Sequence, residues 1–322
     1  MKLKDYLKIN KVANKTFANL LKVTPVSLSR YLNGDRLPEK EVLIKIYNLT
    51  EGFVSPNDFF LHGEKKNDVN ENDKEELKKF HHYILSGSRK YLGKAITLIE
   101  SSREKDQITS EGLLELFNGN DKSIRIGITG VPGVGKSTFI ESFGMKLIKK
   151  GFKVAVLAVD PSSRFSGGSI LGDKTRMEKL SVNKNAFIRP SPSSGHLGGV
   201  AKRTSESILC LEEAGFNIIF VETMGVGQAE TEVYDMVDIF LVLLLPAGGD
   251  ELQGIKKGII EMADLIIVNK ADGELKKSAE ITHREYKNAI HIINKSRINE
   301  DIGVVVCSSL NQSGFENVWK YI

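Results

Sequence analysis

The chain has few of the features that mark secreted or membrane proteins. Its 322 residues include only two cysteines, Cys210 and Cys307, which sit in apolar segments without metal-binding spacing. This usage favours a reduced, cytoplasmic setting over a disulfide-forming one. No apolar run approaches the ~18 residues of a transmembrane helix, and the N-terminus lacks the apolar region of a signal peptide. The sequence therefore predicts a soluble, cytoplasmic protein with no membrane partner.

The chain also lacks a strong net charge, and +4 is too small to identify a partner. The distribution of charge is uneven, however. Through Arg36 there are eight basic residues (Lys2, Lys4, Lys8, Lys11, Lys15, Lys22, Arg30 and Arg36) against two acidic ones, Asp5 and Asp35. A local basic excess suits a polyanion such as DNA, although surface lysines often serve only solubility.

Residues 1–62 are predicted to form short amphipathic helices. One helical face carries Phe17, Leu20 and Leu21. Thr24 is placed to cap the next helix, with Pro25 at its first position. That helix ends at Asn33-Gly34, and a longer one from about Pro38 has core spacing at Val42, Leu43 and Ile46.

The stretch from Phe17 to Pro38 resembles the helix-turn-helix of Cro and phage repressors. The resemblance implies that the helix near residues 25–32 enters the major groove of DNA. Leu28 and Leu32 would then face the core, and the DNA-facing residues would be Ser27, Ser29 and Arg30. The alternative is a small helical bundle that is used for protein contacts.

Composition divides the rest of the chain into three parts. Residues 63–75 are polar and predict a linker. Residues 76–122 predict a helical extension whose buried face carries Leu77, Phe80, Tyr83, Ile84, Leu92, Ala95, Ile96 and Ile99. Residues 123–322 alternate helical segments with apolar runs near 124–129, 153–159, 217–221, 239–245, 264–268 and 303–306. Such runs predict an α/β domain with a largely parallel sheet flanked by helices.

The first of these runs leads into a phosphate-binding pattern. Gly130, Gly135, Lys136 and Ser137 match G-x-x-x-x-G-K-[ST], the P-loop. Glycines let backbone N–H groups point inward at an anion, and the helix that follows adds the positive end of its dipole. The lysine can reach the β- and γ-phosphates and the serine can ligate Mg²⁺. The weaker alternative is a glycine-rich turn without a ligand. The predicted phosphate-binding residues are Gly130, Val131, Pro132, Gly133, Val134, Gly135, Lys136, Ser137 and Thr138.

Carboxylates follow two other strands. Asp160 ends the second apolar run, and Asp173 lies in the glycine-rich loop after it. Glu222 stands where a switch II sequence D-x-x-G has its aspartate, and the N–H of Gly225 could sense the γ-phosphate. Because carboxylates beside a P-loop are the usual ligands of Mg²⁺ or its waters, these residues and Ser137 predict a magnesium site. Asp160 alone would be a weak signal, since an aspartate at a strand end is often only a helix cap.

A second motif predicts which nucleotide base the site recognises. Asn269, Lys270 and Asp272 match the guanine-specificity sequence [NT]-K-x-D at the end of another strand. Asp272 can accept hydrogen bonds from guanine N1–H and the 2-amino group, whereas adenine would leave these buried acceptors unpaired. The run Ser308, Ser309 and Leu310 falls where G proteins place a last loop against the base. The sequence therefore predicts GTP as substrate.

The run from about Ile124 to Trp319 resembles the MeaB/ArgK group of G-protein chaperones of methylmalonyl-CoA mutase, which includes the human methylmalonic-aciduria type A protein. The matching stretches are residues 159–163, 168–177, 189–192, 197–200, 222–228 and 246–256. The helices from 76 to 122 resemble the family's N-terminal extension. These runs are far longer than generic GTPase motifs.

This resemblance implies Mg²⁺ ligation by Ser137 with Asp160, Asp173 and Glu222 nearby. It also implies a mobile third switch over residues 248–256, in which Asp250 and Lys256 matter for activation. The predicted catalytic residues are Lys136, Glu222, Asp250 and Lys256. Three departures stand out. Met224 replaces the usual valine, and a helix-turn-helix precedes the G domain. The chain stops at Ile322 without the family's C-terminal dimerisation arm, so dimerisation does not carry over from the resemblance.

The leading interpretation is a Mg²⁺-dependent GTPase that escorts cofactor loading and protection of a cobalamin-dependent acyl-CoA mutase. An alternative is a nucleotide-gated transcription regulator in which the G domain controls DNA binding by residues 1–62. A third is a kinase for a periplasmic binding protein, which lacks support because the sequence has no separate phosphoacceptor-binding signature. The sequence identifies neither the mutase nor a DNA operator.

Overall fold

The computed structural model describes most of the chain. The described residues are 3–10, 12, 14–24, 27–28, 31–32, 38–60, 71–118, 123–160, 177–192, 197–223, 229–246, 257–294 and 301–322. The chain divides into two compact units, Met1–Asp73 and Lys74–Ile322.

The first unit is helical and has its own apolar core. Its helices are α1 (Leu3–Ile9), α2 (Asn14–Leu21), α3 (Lys40–Leu49) and α4 (Asn57–Phe60). The core includes the side chains of Leu3, Leu7, Phe17, Ala18, Leu21, Leu28, Tyr31, Leu32, Ile46, Val54 and Phe59. The predicted burial of Leu28 and Leu32 is confirmed. Phe17 and Leu21, which were predicted to share a helical face with Leu20, are buried, whereas the Leu20 side chain is 55% exposed. Ala18 also contributes to the core.

Residues around Thr24 form the predicted helix start. The Ser27 N–H donates to Thr24 Oγ1 at 3.1 Å, and the two hydroxyls lie 2.9 Å apart. This satisfies an N–H group that a helix start otherwise leaves without a partner. The Ser27 side chain is partly exposed. Ser29 and Arg30, the other predicted DNA contacts, lie outside the described residues.

The second unit begins with three helices and continues as an α/β domain. The helices are α5 (Glu71–Leu85), which starts before the unit boundary, α6 (Arg89–Glu100) and α7 (Glu104–Leu114). The strands are β1 (Ile124–Gly130), β2 (Val154–Asp160), β3 (Ala186–Pro192), β4 (Ile218–Thr223), β5 (Ile239–Leu244), β6 (Leu265–Val268) and β7 (Gly303–Val306). The helices between and after them are α8 (Lys136–Lys149), α9 (Glu178–Val182), α10 (Leu197–Glu213), α11 (Ala229–Tyr234), α12 (Lys257–Met262), α13 (Lys276–Asn294) and α14 (Phe315–Tyr321).

The sheet has seven strands in the order β3-β2-β4-β1-β5-β6-β7, and all its pairs are parallel. The six strands predicted from apolar runs are confirmed. The seventh, β3, was missed because it contains Pro190 and Pro192, which lack an N–H. Proline is tolerated here because β3 lies at the edge of the sheet and pairs only with β2.

Apolar side chains cover both faces of the sheet. One face packs against α8 and α14 through a cluster that includes Phe139, Phe143, Phe220 and Phe315. The opposite face packs against the helical extension, whose Ile84, Leu92, Ala95, Ile96, Ile99 and Leu113 belong to the same cluster as β2 and β4 residues. Burial of alternate residues on both faces explains why the strands are apolar without interruption.

Two details of the extension differ from the prediction. Residues 71–75, assigned to the linker, are helical in α5. Acidic residues such as Asp73 favour the N-terminal part of a helix. Tyr83, assigned to the buried face, is 45% exposed. Its ring stacks on Tyr91 with a centroid distance of 4.3 Å.

Polar contacts also hold the extension against the α/β domain. His81 Nε2 lies 2.6 Å from Glu213 Oε1, and the Asn118 N–H donates to the other oxygen of that carboxylate at 3.1 Å. Arg189 pairs with Glu100 at the end of α6. Glu213 is buried, and a buried carboxylate without partners would be strongly destabilising. The contacts with His81 and Asn118 supply those partners.

Candidate functional site: the P-loop and the loop after β6

The loop between β1 and α8 has the backbone that phosphate binding requires. Gly130 has φ 147°, and a Cβ there would lie 2.5 Å from the carbonyl oxygen of Leu243. Gly135 has φ 95°, and a Cβ there would lie 2.9 Å from Asn269 Nδ2. Both positions therefore need glycine for conformation and for space. The loop follows β1, which lies between β4 and β5. Strands later in the chain therefore extend the sheet on both sides of β1, and the loop lies at a topological switch point.

Lys136 begins α8 and folds back over the loop. Its Nζ donates to the carbonyl oxygen of Gly130 at 2.7 Å and lies 3.5 Å from that of Val131. The side chain is buried. An ammonium group is thereby held inside the loop, next to the N-terminus of a 14-residue helix. Positive charge and a helix N-terminus at one place favour an anion.

Ser137 and Glu222 are in direct contact. The serine hydroxyl donates to Glu222 Oε1 at 3.0 Å. Parallel pairing of β1 with β4 sets Glu222 opposite Ile128, and the carboxylate is buried. A hydroxyl and a carboxylate oxygen side by side are the hard oxygen donors that Mg²⁺ prefers, so this donor set fits the metal.

Other predicted ligands are less well described. Asp160 ends β2, one position beyond the pairing of Val159 with Thr223, so its backbone lies at the same end of the sheet as Glu222. Asp173, Gly225, Asp250 and Lys256 lie outside the described residues. Within the described ranges, no group of three or more His, Cys, Asp or Glu side chains is arranged to hold a metal ion.

The loop after β6 is hydrogen-bonded to the P-loop. Asn269 Nδ2 donates to the carbonyl oxygen of Val134 at 3.0 Å. Lys270, which has φ 58°, donates from Nζ to the carbonyl oxygen of Gly133 at 2.7 Å. The two sequence motifs, separated by more than a hundred residues, therefore form a single structure.

The segment after β7 is hydrogen-bonded to the loop after β6. The hydroxyl of Ser308 donates to Asp272 Oδ2. Ser309 donates to Asn269 Oδ1 twice, from Oγ at 2.8 Å and from its N–H at 3.2 Å. Leu310 is 76% exposed. Ser308 and Ser309 thus hold the side chains of Asp272 and Asn269, whereas Leu310 extends into solvent.

Sequence reasoning did not include Cys307 in the site. Its thiol lies 3.5 Å from Asn269 Oδ1, and burial raises its pKa to about 12. The group therefore stays a protonated, weak donor. The signal that could have found it is its position, at the end of β7 and directly before Ser308.

Among the described residues no helix is both long enough and apolar enough to cross a membrane.

Comparison with known proteins identifies the family. Residues 92–322 match the family model described as methylmalonyl Co-A mutase-associated GTPase MeaB. The GTPase ArgK of Escherichia coli is 50% identical over 242 residues, which cover 74% of this chain and 72% of that protein. The mouse mitochondrial methylmalonic aciduria type A homolog is 49% identical over 247 residues, covering 73% of this chain and 60% of that protein.

A solved structure is also similar. The crystal structure of a LAO/AO transport system kinase aligns with a TM-score of 0.64 and 40% sequence identity, covering 76% of this chain and 72% of the other. Family match, identity and fold agree with the P-loop and the guanine motif. The chain belongs to the methylmalonyl-CoA mutase-associated GTPase family, MeaB, and is a GTP-hydrolysing G protein.

Proposed function

We propose that this GTPase is a Mg²⁺-dependent chaperone for a cobalamin-dependent acyl-CoA mutase of the methylmalonyl-CoA mutase type. The observation that carries the proposal is the match of residues 92–322 to a family described as mutase-associated. The mouse relative, named for methylmalonic aciduria, supports it. In this role the protein binds GTP and couples its hydrolysis to the state of the mutase.

The proposed site divides into phosphate, metal and base contacts. Residues 130–138 bind the phosphates through backbone N–H groups and Lys136. Ser137 and Glu222, with Asp160 and Asp173, hold Mg²⁺ or its waters. When bound, the metal neutralises charge that develops on the β- and γ-phosphate oxygens. The base is read by Asn269 and Asp272 with support from Lys270 and the segment 308–310.

We propose that hydrolysis is slow until the partner docks. In small GTPases a glutamine after the switch II glycine orients the attacking water. Here that position is Val226, whose side chain cannot hydrogen-bond water, and Gln228 follows two residues later. Binding is therefore expected to be intact while turnover is slow. Lys256, in the segment 248–256 that also contains Asp250, would supply the missing positioning or positive charge once the mutase is bound.

The test is GTP hydrolysis with and without a cobalamin mutase. Added cationic stabilisation could increase the rate by about 10³-fold or more, although a lysine within the chain can give much less. Lys256→Ala should remove the stimulated part of the rate. The neighbouring Lys257→Ala is the matched control and should keep it. A fast basal rate that responds neither to the mutase nor to Lys256→Ala would show that the catalytic machinery lies elsewhere.

A second proposal concerns the first unit. Met1–Asp73 is a separate compact unit that lies before residue 92, where the family match begins. Its capped helix at Thr24 and its basic excess support DNA binding through Ser27, Ser29 and Arg30, gated by the nucleotide state of the G domain.

Selection from random DNA duplexes at low salt tests this second proposal with the full chain. Binding should weaken as salt rises, because phosphate contacts release counterions. Arg30→Ala should cost about 1–3 kcal/mol if the guanidinium reads a base edge, whereas the exposed Lys45→Ala serves as the control. A selection that enriches no sequence would favour the protein-contact interpretation.

A further inference from the structure

Helix α3 exposes large apolar side chains next to each other on the surface of the first unit. Ile44 is 49% exposed and Tyr47 is 47% exposed, and residues three apart on a helix are neighbours on one face. The Tyr47 ring reaches beyond the end of the helix, where a Cβ added at Gly52 would lie 3.3 Å from its hydroxyl oxygen. Phe53, the next residue, is 60% exposed. Neighbouring exposed apolar residues, in contrast to scattered single ones, are typical of an interaction surface.

The opposite face of α3 is already used by the core of the first unit. Ile46 is buried in that core, and Val42 and Leu43 pack against it. Thr50, directly after the helix, is also buried, and its hydroxyl donates to the carbonyl oxygen of Ile46 at 2.8 Å. The inner face therefore holds the helix in place, and the exposed apolar residues are not needed for that.

Each end of the exposed face carries a charge that α3 itself does not favour. Lys40 is the first residue of the helix, where the positive end of the helix dipole opposes a cation. Glu51 lies just past the C-terminal end, where the negative end of the dipole opposes an anion. It also has φ 51°, a left-handed conformation that favours glycine or asparagine at this position. Both residues are exposed, so both are unfavourable for an isolated helix.

A second copy of the same helix, packed antiparallel, would remove both conflicts. The N-terminal end of one α3 then lies beside the C-terminal end of the other, so Lys40 approaches Glu51 of the second copy and the negative end of its dipole. A two-fold axis repeats this pair, since the same patch forms both sides of the interface. Lys40, Ile44 and Tyr47 are spaced four and three residues apart, the alternation with which two helices pack along a seam.

A partner with charge of one sign fits this face less well. A polyanion such as DNA would be attracted by Lys40 but repelled by Glu51, and a basic partner would meet the reverse. The presence of one charge of each sign, at opposite ends of an apolar centre, therefore favours a second copy of this chain.

We propose that the exposed face of α3 formed by Lys40, Ile44, Tyr47 and Glu51, the α3 surface, is the interface through which two copies of this chain form a two-fold symmetric dimer. Ile44 and Tyr47 lie at its centre and exclude water, and the two pairs of Lys40 with Glu51 fix the antiparallel orientation. The inference goes beyond the proposed GTPase and DNA-binding functions and depends on neither.

The test is sedimentation equilibrium of the full chain, without nucleotide, over a wide range of protein concentration. The wild type should show a concentration-dependent equilibrium between monomer and dimer. Ile44→Asp should raise the dimer Kd at least about tenfold, because the two-fold axis places the new charge in the interface twice. The matched control is Ile281→Asp in α13, since Ile281 has the same 49% exposure but lies in the second unit. It should keep the wild-type Kd.

Exchange of charges tests the antiparallel arrangement without removing apolar surface. Lys40→Glu places like charges opposite each other and should raise the dimer Kd about threefold or more, and Glu51→Lys should do the same. The double variant Lys40→Glu/Glu51→Lys restores both pairs with their signs exchanged, so its Kd should return to the wild-type value. Because Lys40 and Glu51 are exposed, these variants should fold even if Ile44→Asp does not.

Three outcomes would overturn the inference. A wild type that stays monomeric at every concentration would leave the α3 surface to a different partner. A dimer whose Kd is the same for the wild type and Ile44→Asp would assemble through another surface. A double charge variant that dimerises no better than either single variant would show that Lys40 and Glu51 do not meet across the interface.

Discussion

Replacement of Gly130 with alanine is expected to destabilise the second unit more than replacement of a glycine whose added Cβ would meet no neighbouring atom. Gly130 ends β1 with φ 147°, a conformation that L-residues rarely adopt. The added Cβ would lie 2.5 Å from the Leu243 carbonyl oxygen and 3.1 Å from Val134 Cγ1. The first neighbour is backbone of the adjacent strand β5, so it cannot rotate away. Either the P-loop or the end of β5 must move.

The magnitude follows from two contributions. Strained backbone at a non-glycine residue costs about 1–3 kcal/mol, and forcing an extra carbon into a packed site costs about 1–3 kcal/mol. The sum is about 4 kcal/mol of unfolding free energy. For a domain of this size, that corresponds to a fall in Tm of about 8–16 °C.

Gly151→Ala separates the two contributions. Gly151 follows α8 with φ 97°, and a Cβ there would meet no heavy atom within 4 Å. This variant therefore retains the backbone strain without the steric overlap and should lose only about 1–2 kcal/mol. Urea unfolding of the nucleotide-free protein measures both variants. The reasoning is refuted if Gly130→Ala loses no more stability than Gly151→Ala, because the overlap with Leu243 would then have no energetic effect.

Two further predictions concern the base and the thiols. Wild-type protein should bind GDP and GTP at least about tenfold more tightly than their adenine counterparts, a difference in binding free energy of about 1.4 kcal/mol. Asp272→Asn should erase the preference for guanine over xanthine nucleotides. Equal ATP and GTP affinities in calorimetry would contradict the guanine assignment. Burial raises the pKa of both Cys210 and Cys307 from 9.0 to about 12, so the unfolded chain releases these protons at lower pH than the folded one. The contribution of the two thiols to the free energy of unfolding should be complete below pH 9 and decline between about pH 9 and 12. In native protein at pH 8, both thiols should resist iodoacetamide. Rapid labelling of both thiols without unfolding would contradict their burial.

Local patterns in the sequence were sufficient to predict several elements of the structure. A phosphate nest needs consecutive backbone N–H groups, so Gly130 through Ser137 are contiguous and recognisable. The buried strands were predicted because strands covered on both faces are apolar throughout. The proposed base motif is recognisable for the same reason, since Asn269 and Asp272 lie three residues apart. The helix start at Thr24 depends on contacts within four residues and was likewise predicted.

Only the tertiary structure decided which of these elements touch. The edge position of β3 makes its prolines acceptable, and no local pattern distinguishes an edge strand from a loop. Helical periodicity predicts which residues share a face but not what covers that face, so Tyr83 was assigned to a buried face although its side chain is exposed. The bond from Ser309 to Asn269 spans 40 residues of chain, and the bond from Asn269 to Val134 spans 135. Such contacts arise from the packing of the sheet, because parallel strands bring their carboxyl ends to one edge whatever their separation in sequence.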